Sequence, residues 1–173
     1  MNTAIRYGLI LGAISVIYKL ATYAINVELL VSTSYQFIVF VVSVAVLIYF
    51  ARLLRQARGG FASFKEMFGD IFTMLMISIV LDTIFNYILF NFIDPQLAET
   101  LKNATIKNAE AMFSKFGMSG EQVDAALAEI EKQDMSVTVT KSLQQILMLG
   151  IVCAIISAIV AAFMKKNKPE EAF

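Results

Sequence analysis

The chain contains no histidine, which removes the commonest general base and the commonest metal ligand together. A zinc centre or a histidine-based catalytic triad is excluded, and no metal or other cofactor is expected. Cys153 stands alone, so no intrachain disulfide can form, and it lacks the position a lipid-modified cysteine would need. Charge is scarce as well. Only 16% of the 173 residues are charged, where a soluble domain carries roughly 25%. Fourteen basic and fourteen acidic residues cancel, so nothing in the balance points to nucleic acid as a partner.

What fills the chain instead is apolar: 58% of residues, at a mean hydropathy of +0.72. Several apolar runs reach the ~20 residues that cross a bilayer. Four spans are predicted, at about 4–27, 34–51, 68–93 and 142–164, within a single membrane domain covering 1–173. The first resembles a secretory signal, with Arg6 before an apolar core. Its core runs too long and no clean cleavage site follows, so an uncleaved span is expected.

Lysine and arginine placement sets the orientation. One side carries eight basic residues, among them Arg6, Arg52, Arg55, Arg58, Lys65 and Lys168, against four acids: Glu66, Asp70, Glu170 and Glu171. The other side carries five lysines against nine acids, so the faces stand at +4 and −4. Both termini are therefore expected in the cytoplasm of a bacterial inner membrane. Tyr7 and Tyr49 near one boundary, and Tyr35 near the other, suit interfacial anchoring.

Two connections carry readable local signals. Between spans two and three, Gly59-Gly60 breaks the helix, and Ser63 with Glu66 three residues later is a capping box. Arg52, Arg55, Arg58 and Lys65 flank this break as candidate contacts for anionic lipid headgroups or a partner. Phe61, Phe64, Phe68 and Phe72 follow at helical spacing, first read as an interfacial aromatic edge and second as a docking surface. Residues 94–141 are expected to form an extracytoplasmic amphipathic helical hairpin, too small to hold a core of its own. Asp94-Pro95 opens it as an N-cap and first-turn proline. Leu97, Leu101, Met112, Phe113 and Phe116 share one face, Gly117 stops the helix, and Ser119 with Gln122 forms a second capping box. Val123, Leu127 and Ile130 continue the stripe.

Inside the spans runs a polar seam. Gly8, Gly12, Ser15, Lys19, Thr22 and Asn26 alternate steps of four and three, so they share a face. Gly8 and Gly12 permit close backbone approach. Ser78, Asp82 and Asn86 repeat every four residues in span three, and Gly150, Ala154, Ala158 and Ala162 repeat small residues in span four. Lys19 and Asp82 agree in depth within about one turn, ~5 Å. A charge at mid-bilayer costs ~2.5–3.5 kcal/mol even on the lenient scale, so a Lys19–Asp82 pair supported by Ser15, Ser78 and Asn86 is expected. A static packing device ranks first, a pair that opens during transport second, and no direct pairing third.

The stretches YGLILGAIS, FASFKEMFGDIF, FNFIDPQLAET and GMSGEQVDAALAEIEK, in this order, resemble the bacterial membrane-protein family catalogued as domain of unknown function 4199. The resemblance implies a four-helix inner-membrane protein found largely in Bacteroidota and supplies no catalytic residues. It also suggests, through neighbouring genes, a partnership with a polyprenyl-phosphate glycosyltransferase.

Three functional classes remain. The leading expectation is a non-enzymatic, all-α membrane subunit or scaffold binding partner proteins or lipid-linked intermediates, with membrane lipids around it and a homo-oligomer or membrane-protein partner. The alternative is a small dimeric transporter or lipid flippase using Lys19 and Asp82. An enzyme built on Glu66 and Asp70, with Lys65 and Arg58 holding phosphates, ranks last, because acids four apart usually just face water.

Overall fold

The computed structural model describes residues 2–117 and 120–166. Ser119, expected to cap the second hairpin helix, and Lys168, Glu170 and Glu171, counted in the charge asymmetry, lie outside the described residues. Those residues form six α-helices and no strands.

Helix α1 spans Thr3–Ile25 and starts where the Asn2 side chain accepts from the Ala4 N–H at 3.1 Å. It ends at Asn26, whose side chain accepts from the Glu28 N–H and opens a 3-10 turn, Val27–Val31. Helix α2, Thr33–Ala57, runs six residues beyond the expected 51. Gly59 and Gly60 then take φ of +77° and +84°, a region glycine enters freely, and the chain reverses there. The capping box forms: Ser63 Oγ accepts from the Glu66 N–H, and Glu66 Oε2 accepts from the Ser63 N–H at 2.8 Å. Helix α3, Phe64–Ile88, thus starts four residues before the expected 68, and a π-helical turn, Leu89–Ile93, extends it to 30 residues.

The expected N-cap at Asp94 does not form. One Asp94 oxygen accepts from the Gln96 N–H at 3.1 Å, and the other accepts from the Tyr23 hydroxyl at 3.1 Å. That turn delays helix α4 to Leu97–Lys115, with Gln96 at its cap position making no side-chain bond. Gly117, at φ +65°, ends it as expected. Helix α5 spans Gly120–Lys132 and helix α6 spans Val139–Met164, capped by Thr138.

Helices α1, α2, α3 and α6 are each long and apolar enough to cross a membrane. The shortest has 23 residues, about 34 Å at 1.5 Å per residue, against a core of ~30 Å. The chain is a multi-pass membrane protein.

Helix α3 is the spine. Along it α1 runs parallel: Gly8 faces Met74 and Ile77, Gly12 faces Ser78 and Leu81, and Tyr23 meets Asp94. A Cβ on Gly8 would lie 2.8 Å from the Met74 carbonyl oxygen, so the glycine is what lets the two backbones touch. Helix α6 runs antiparallel on the other flank. Asn91 donates to the Val137 carbonyl at one end, Met76 meets Gly150, and Ala62 and Lys166 exchange two 2.9 Å backbone bonds at the other end.

The α6 stripe differs from the expected one. Cys153, Ser157 and Ala161 are buried, whereas Ala154 and Ala158 are half-buried and Ala162 is exposed. The packed face lies one residue from the small-residue repeat, because side chains as large as cysteine still fit beside α3.

Two apolar clusters result. At the end carrying the termini, Ala4, Phe50, Ala51, Leu54, Met67, Ile71, Met74 and Ala161 close a core among all four long helices. At the hairpin end, Leu89, Leu97 and Leu101 pack with Tyr23, Leu30 and Phe85. The expected apolar face of α4 is therefore half used. Leu97, Leu101 and Ala104 are buried, while Met112 is exposed and Phe116 is 77% exposed. No residue of α5 is buried, and Val123, Leu127 and Ile130 are half-buried.

Candidate functional site

The α1–α3 contact changes character along its length. Near the termini it is backbone against backbone at Gly8 and Gly12. Beyond Gly12 the residues grow polar. Lys19 Nζ donates to both Asp82 oxygens at 2.8 Å and to Asn86 Oδ1 at 2.9 Å, using all three of its protons. Asp82 also accepts from Ser15 Oγ at 3.0 Å and from Asn86 Nδ2 at 3.3 Å. The i, i+4 spacing of Asp82 and Asn86, and of Ser15 and Lys19, puts each pair on one helix face. Four of the five expected seam residues thus meet in one node. Ser78 does not. Its backbone packs on Gly12, and its side chain makes no hydrogen bond among the described residues.

This node is saturated but not sealed. The Lys19 and Asp82 side chains keep 20% and 25% of their surface accessible. Nor does the rest of the α1 stripe face α3. Thr22 turns to α2, where its hydroxyl lies 2.9 Å from that of Tyr35, and Asn26 is exposed at the helix end.

Helix α2 explains the opening. Its terminal-side third is well packed, with Phe50, Ala51 and Leu54 buried and Tyr7 edge-on to Phe50 at 5.5 Å. Its far end is held by the Thr22–Tyr35 bond and by Tyr18 stacking on Tyr35 at 6.2 Å. Between them every residue from 37 to 45 except Val39 is exposed. Nine residues cover all sides of a helix. This stretch therefore leaves the bundle.

The basic residues expected to contact headgroups or a partner divide in two. Arg55 Nη1 donates to the Met164 carbonyl at 3.3 Å, satisfying the end of α6. Arg58 grips Asp70 through Nε at 2.6 Å and Nη2 at 3.0 Å, and reaches Glu66 through Nη1 at 3.1 Å. The bond to Asp70 pushes the Arg58 guanidinium above its already high range, against a smaller opposing effect of burial. Arg52 and Lys65 are exposed and pair with no acid among the described residues. Glu66 and Asp70, the acids of the enzyme reading, share Arg58, and the described residues hold no acid, cysteine and histidine cluster fit for a metal ion.

Phe64, Phe68 and Phe72 stack in series at 6.1 and 5.9 Å, and Lys166 sits 5.2 Å over the Phe61 ring. Two contacts escaped the sequence reading. Tyr23 lies one turn beyond Lys19 on the α3-facing side, so its bond to Asp94 continues a readable stripe. The Asp134–Lys141 link at 2.6 Å joins residues seven apart across an irregular turn, and no helical spacing announces it.

A parallel glycine-to-aspartate seam between two spans, flanked by an antiparallel fourth span and a helical hairpin, defines a small polytopic helical membrane protein. The model of the family described as "Protein of unknown function (DUF4199)" matches residues 6–166, and the chain belongs to that family. No curated protein and no solved structure matches it.

Proposed function

We propose that the protein is a non-enzymatic membrane subunit that docks a partner through its hairpin. The observation that carries this reading is the division within α4. Up to Asn108 it is anchored, by Leu97 and Leu101, by Lys107 to Glu28 at 3.5 Å, and by Asn108 to the Val31 carbonyl. Beyond that point Met112 and Phe116 are exposed, and on α5 Val123, Leu127 and Ile130 are half-buried with no residue fully buried. A helix fixed at its base and apolar at its tip is suited to bind a protein surface.

The basic excess on the terminal side supports an orientation with both termini in the cytoplasm of the inner membrane and the hairpin outside. Arg52 and Lys65 serve anionic headgroups there, whereas Arg55 and Arg58 hold the fold. The resemblance suggests a polyprenyl-phosphate glycosyltransferase as the docked enzyme. Purification from native membranes in mild detergent, followed by native mass spectrometry, tests the reading. A second chain in fixed ratio, lost from a Met112→Asp/Phe116→Asp variant, supports it. A homodimer carrying nothing else overturns it.

The accessible Lys19–Asp82 node favours a second reading, a small transporter or flippase working as a dimer. Proton-coupled flux in liposomes that vanishes in Asp82→Asn would carry that reading, and unchanged flux would remove it.

A further inference from the structure

The detached middle of α2 and the accessible ion pair lie at one depth. Two contacts fix the register between α1 and α2: Thr22 opposite Tyr35, and Tyr7 opposite Phe50, fifteen residues apart on each helix. Ser43, eight residues past Tyr35, is therefore level with Ile14 and Ser15, and Ser15 Oγ is bonded to Asp82. Ser43 also faces inwards. It precedes Phe50 by seven residues, which turns it only about 20° from that side chain's direction. Phe50 is buried on that face and Ser43 is exposed on it. Val46 and Leu47 still pack on the terminal core, and the contact lapses at Ser43, with Val39 half-buried one turn further on.

From this we infer a water-filled intramembrane cleft between the middle of α2 and the α1–α3 seam, with the Lys19–Asp82 node as its floor. Tyr18, Thr22 and Tyr35 close it towards the hairpin, and Tyr7 and Phe50 close it towards the termini. Its occupant is water rather than an acyl chain, because the floor carries two charges with accessible surface, and hydrocarbon cannot solvate them. Such a cleft lets water, and protons with it, reach an aspartate that the bilayer would otherwise isolate.

The cleft supplies the second reading with its water path and rests on that reading only for its purpose. Thiol labelling tests the cleft, whereas flux through Asp82→Asn tests transport, so either can fail alone. Cys153 is replaced by alanine to leave a thiol-free chain, and single cysteines are placed at Ser43 and at Val41, which points about 160° away from Ser43 at nearly the same depth. Both sites are exposed, so neither substitution crowds a neighbour. Thiolates, which form only in water, attack methanethiosulfonate reagents. In proteoliposomes, aminoethyl methanethiosulfonate should modify Ser43→Cys at least tenfold faster than Val41→Cys. Equal, slow rates at both positions would overturn the cleft and show that lipid, or a helix of a second copy, fills the space.

Discussion

The two ends of the transmembrane bundle are built on different physics. At the terminal end, apolar side chains and glycine contacts close all four helices around Met67, Ile71 and Met74, and Arg58 ties the α2–α3 turn to Asp70. At the hairpin end, a smaller apolar cluster around Leu89, Leu97 and Leu101 is joined by polar contacts between the long helices: Lys19 to Asp82, Thr22 to Tyr35, Tyr23 to Asp94, and Asn91 to Val137. Apolar packing in a bilayer gains only close contact, because lipid tails are as apolar as leucine. Polar contacts cost more when broken, because the group left behind finds no partner in hydrocarbon and only partial access to water. The terminal end should therefore answer to side-chain volume and the hairpin end to charge.

Breaking the charge contact gives the largest expected effect. Removing one partner of a buried pair costs ~3–5 kcal/mol, and the residual accessibility here lowers that to about 2–3 kcal/mol. Asp82→Ala and Lys19→Met should each lower the unfolding midpoint in detergent by several degrees. The exchange Lys19→Asp/Asp82→Lys should recover much of the loss. Single variants that melt like the parent, or an exchange that recovers nothing, would mean the pair does not hold the spans together.

Volume comes next, and it is graded by what a new Cβ meets. In Gly8→Ala the methyl would lie 2.8 Å from a backbone carbonyl that cannot move aside, a cost of ~1–3 kcal/mol. Gly12→Ala meets first the end of the Leu81 side chain, which can shift, so its cost should be smaller. Gly150→Ala meets only Met76 at 3.6 Å and should be close to neutral. The order of the three unfolding midpoints is the test. A Gly8 variant no more damaged than the Gly150 variant would contradict the close approach of α1 and α3.

This grading also shows how the sequence was legible. Gly8, Gly12, Ser15, Lys19, Asp82 and Asn86 stand at helical spacing, and spacing alone places them on facing sides once two spans run parallel. Helical repetition does not say which of two adjacent faces a neighbour will occupy. That is why the Ala154/Ala158 repeat pointed one residue away from the face that packs, Cys153, Ser157 and Ala161. Ser78 failed for a related reason: at the level of Gly12 its backbone and the Leu81 side chain already fill the contact. The α4 start was misplaced because Asp94, which accepts from the Gln96 N–H with one oxygen and from the Tyr23 hydroxyl with the other, closes a turn ahead of the helix. Nothing in the α2 pattern foretold its detached middle, since an apolar helix reads the same whether it faces lipid or protein.

The Arg58 clamp offers a middle-sized test. Arg58→Ala would leave Asp70, which is 8% exposed, without its guanidinium. Hydrogen bonds to charged groups contribute ~1.5–3 kcal/mol, and partial exposure of Arg58 reduces this to about 1–2 kcal/mol. Arg52→Ala, at an exposed position, should leave the unfolding midpoint unchanged and weaken retention on anionic vesicles instead. If Arg58→Ala also acted only on vesicle binding, the division between structural and surface arginines would be wrong.

The smallest effect lies in the turn before α6. Lys141 reaches Asp134 at 2.6 Å and also the Asp134 and Ser136 carbonyls. The Lys141 bond first, then the Ser136 hydroxyl and N–H, hold the Asp134 carboxyl well below the usual carboxylate range. A carboxyl lowered in the folded state contributes stability above its unfolded value, about 3.9, and loses it only as pH falls through the folded value. Between about pH 7 and pH 4 this link should therefore stay intact, unlike one whose acid titrates normally. Carbon-detected NMR of the Asp134 carboxyl should show no titration down to about pH 3, and Lys141→Met should raise the midpoint towards the ordinary range, with the Ser136 bonds still holding it below. A midpoint near 3.9 in the unaltered protein would mean that the turn is not tied, and α6 would then enter the membrane without a fixed start.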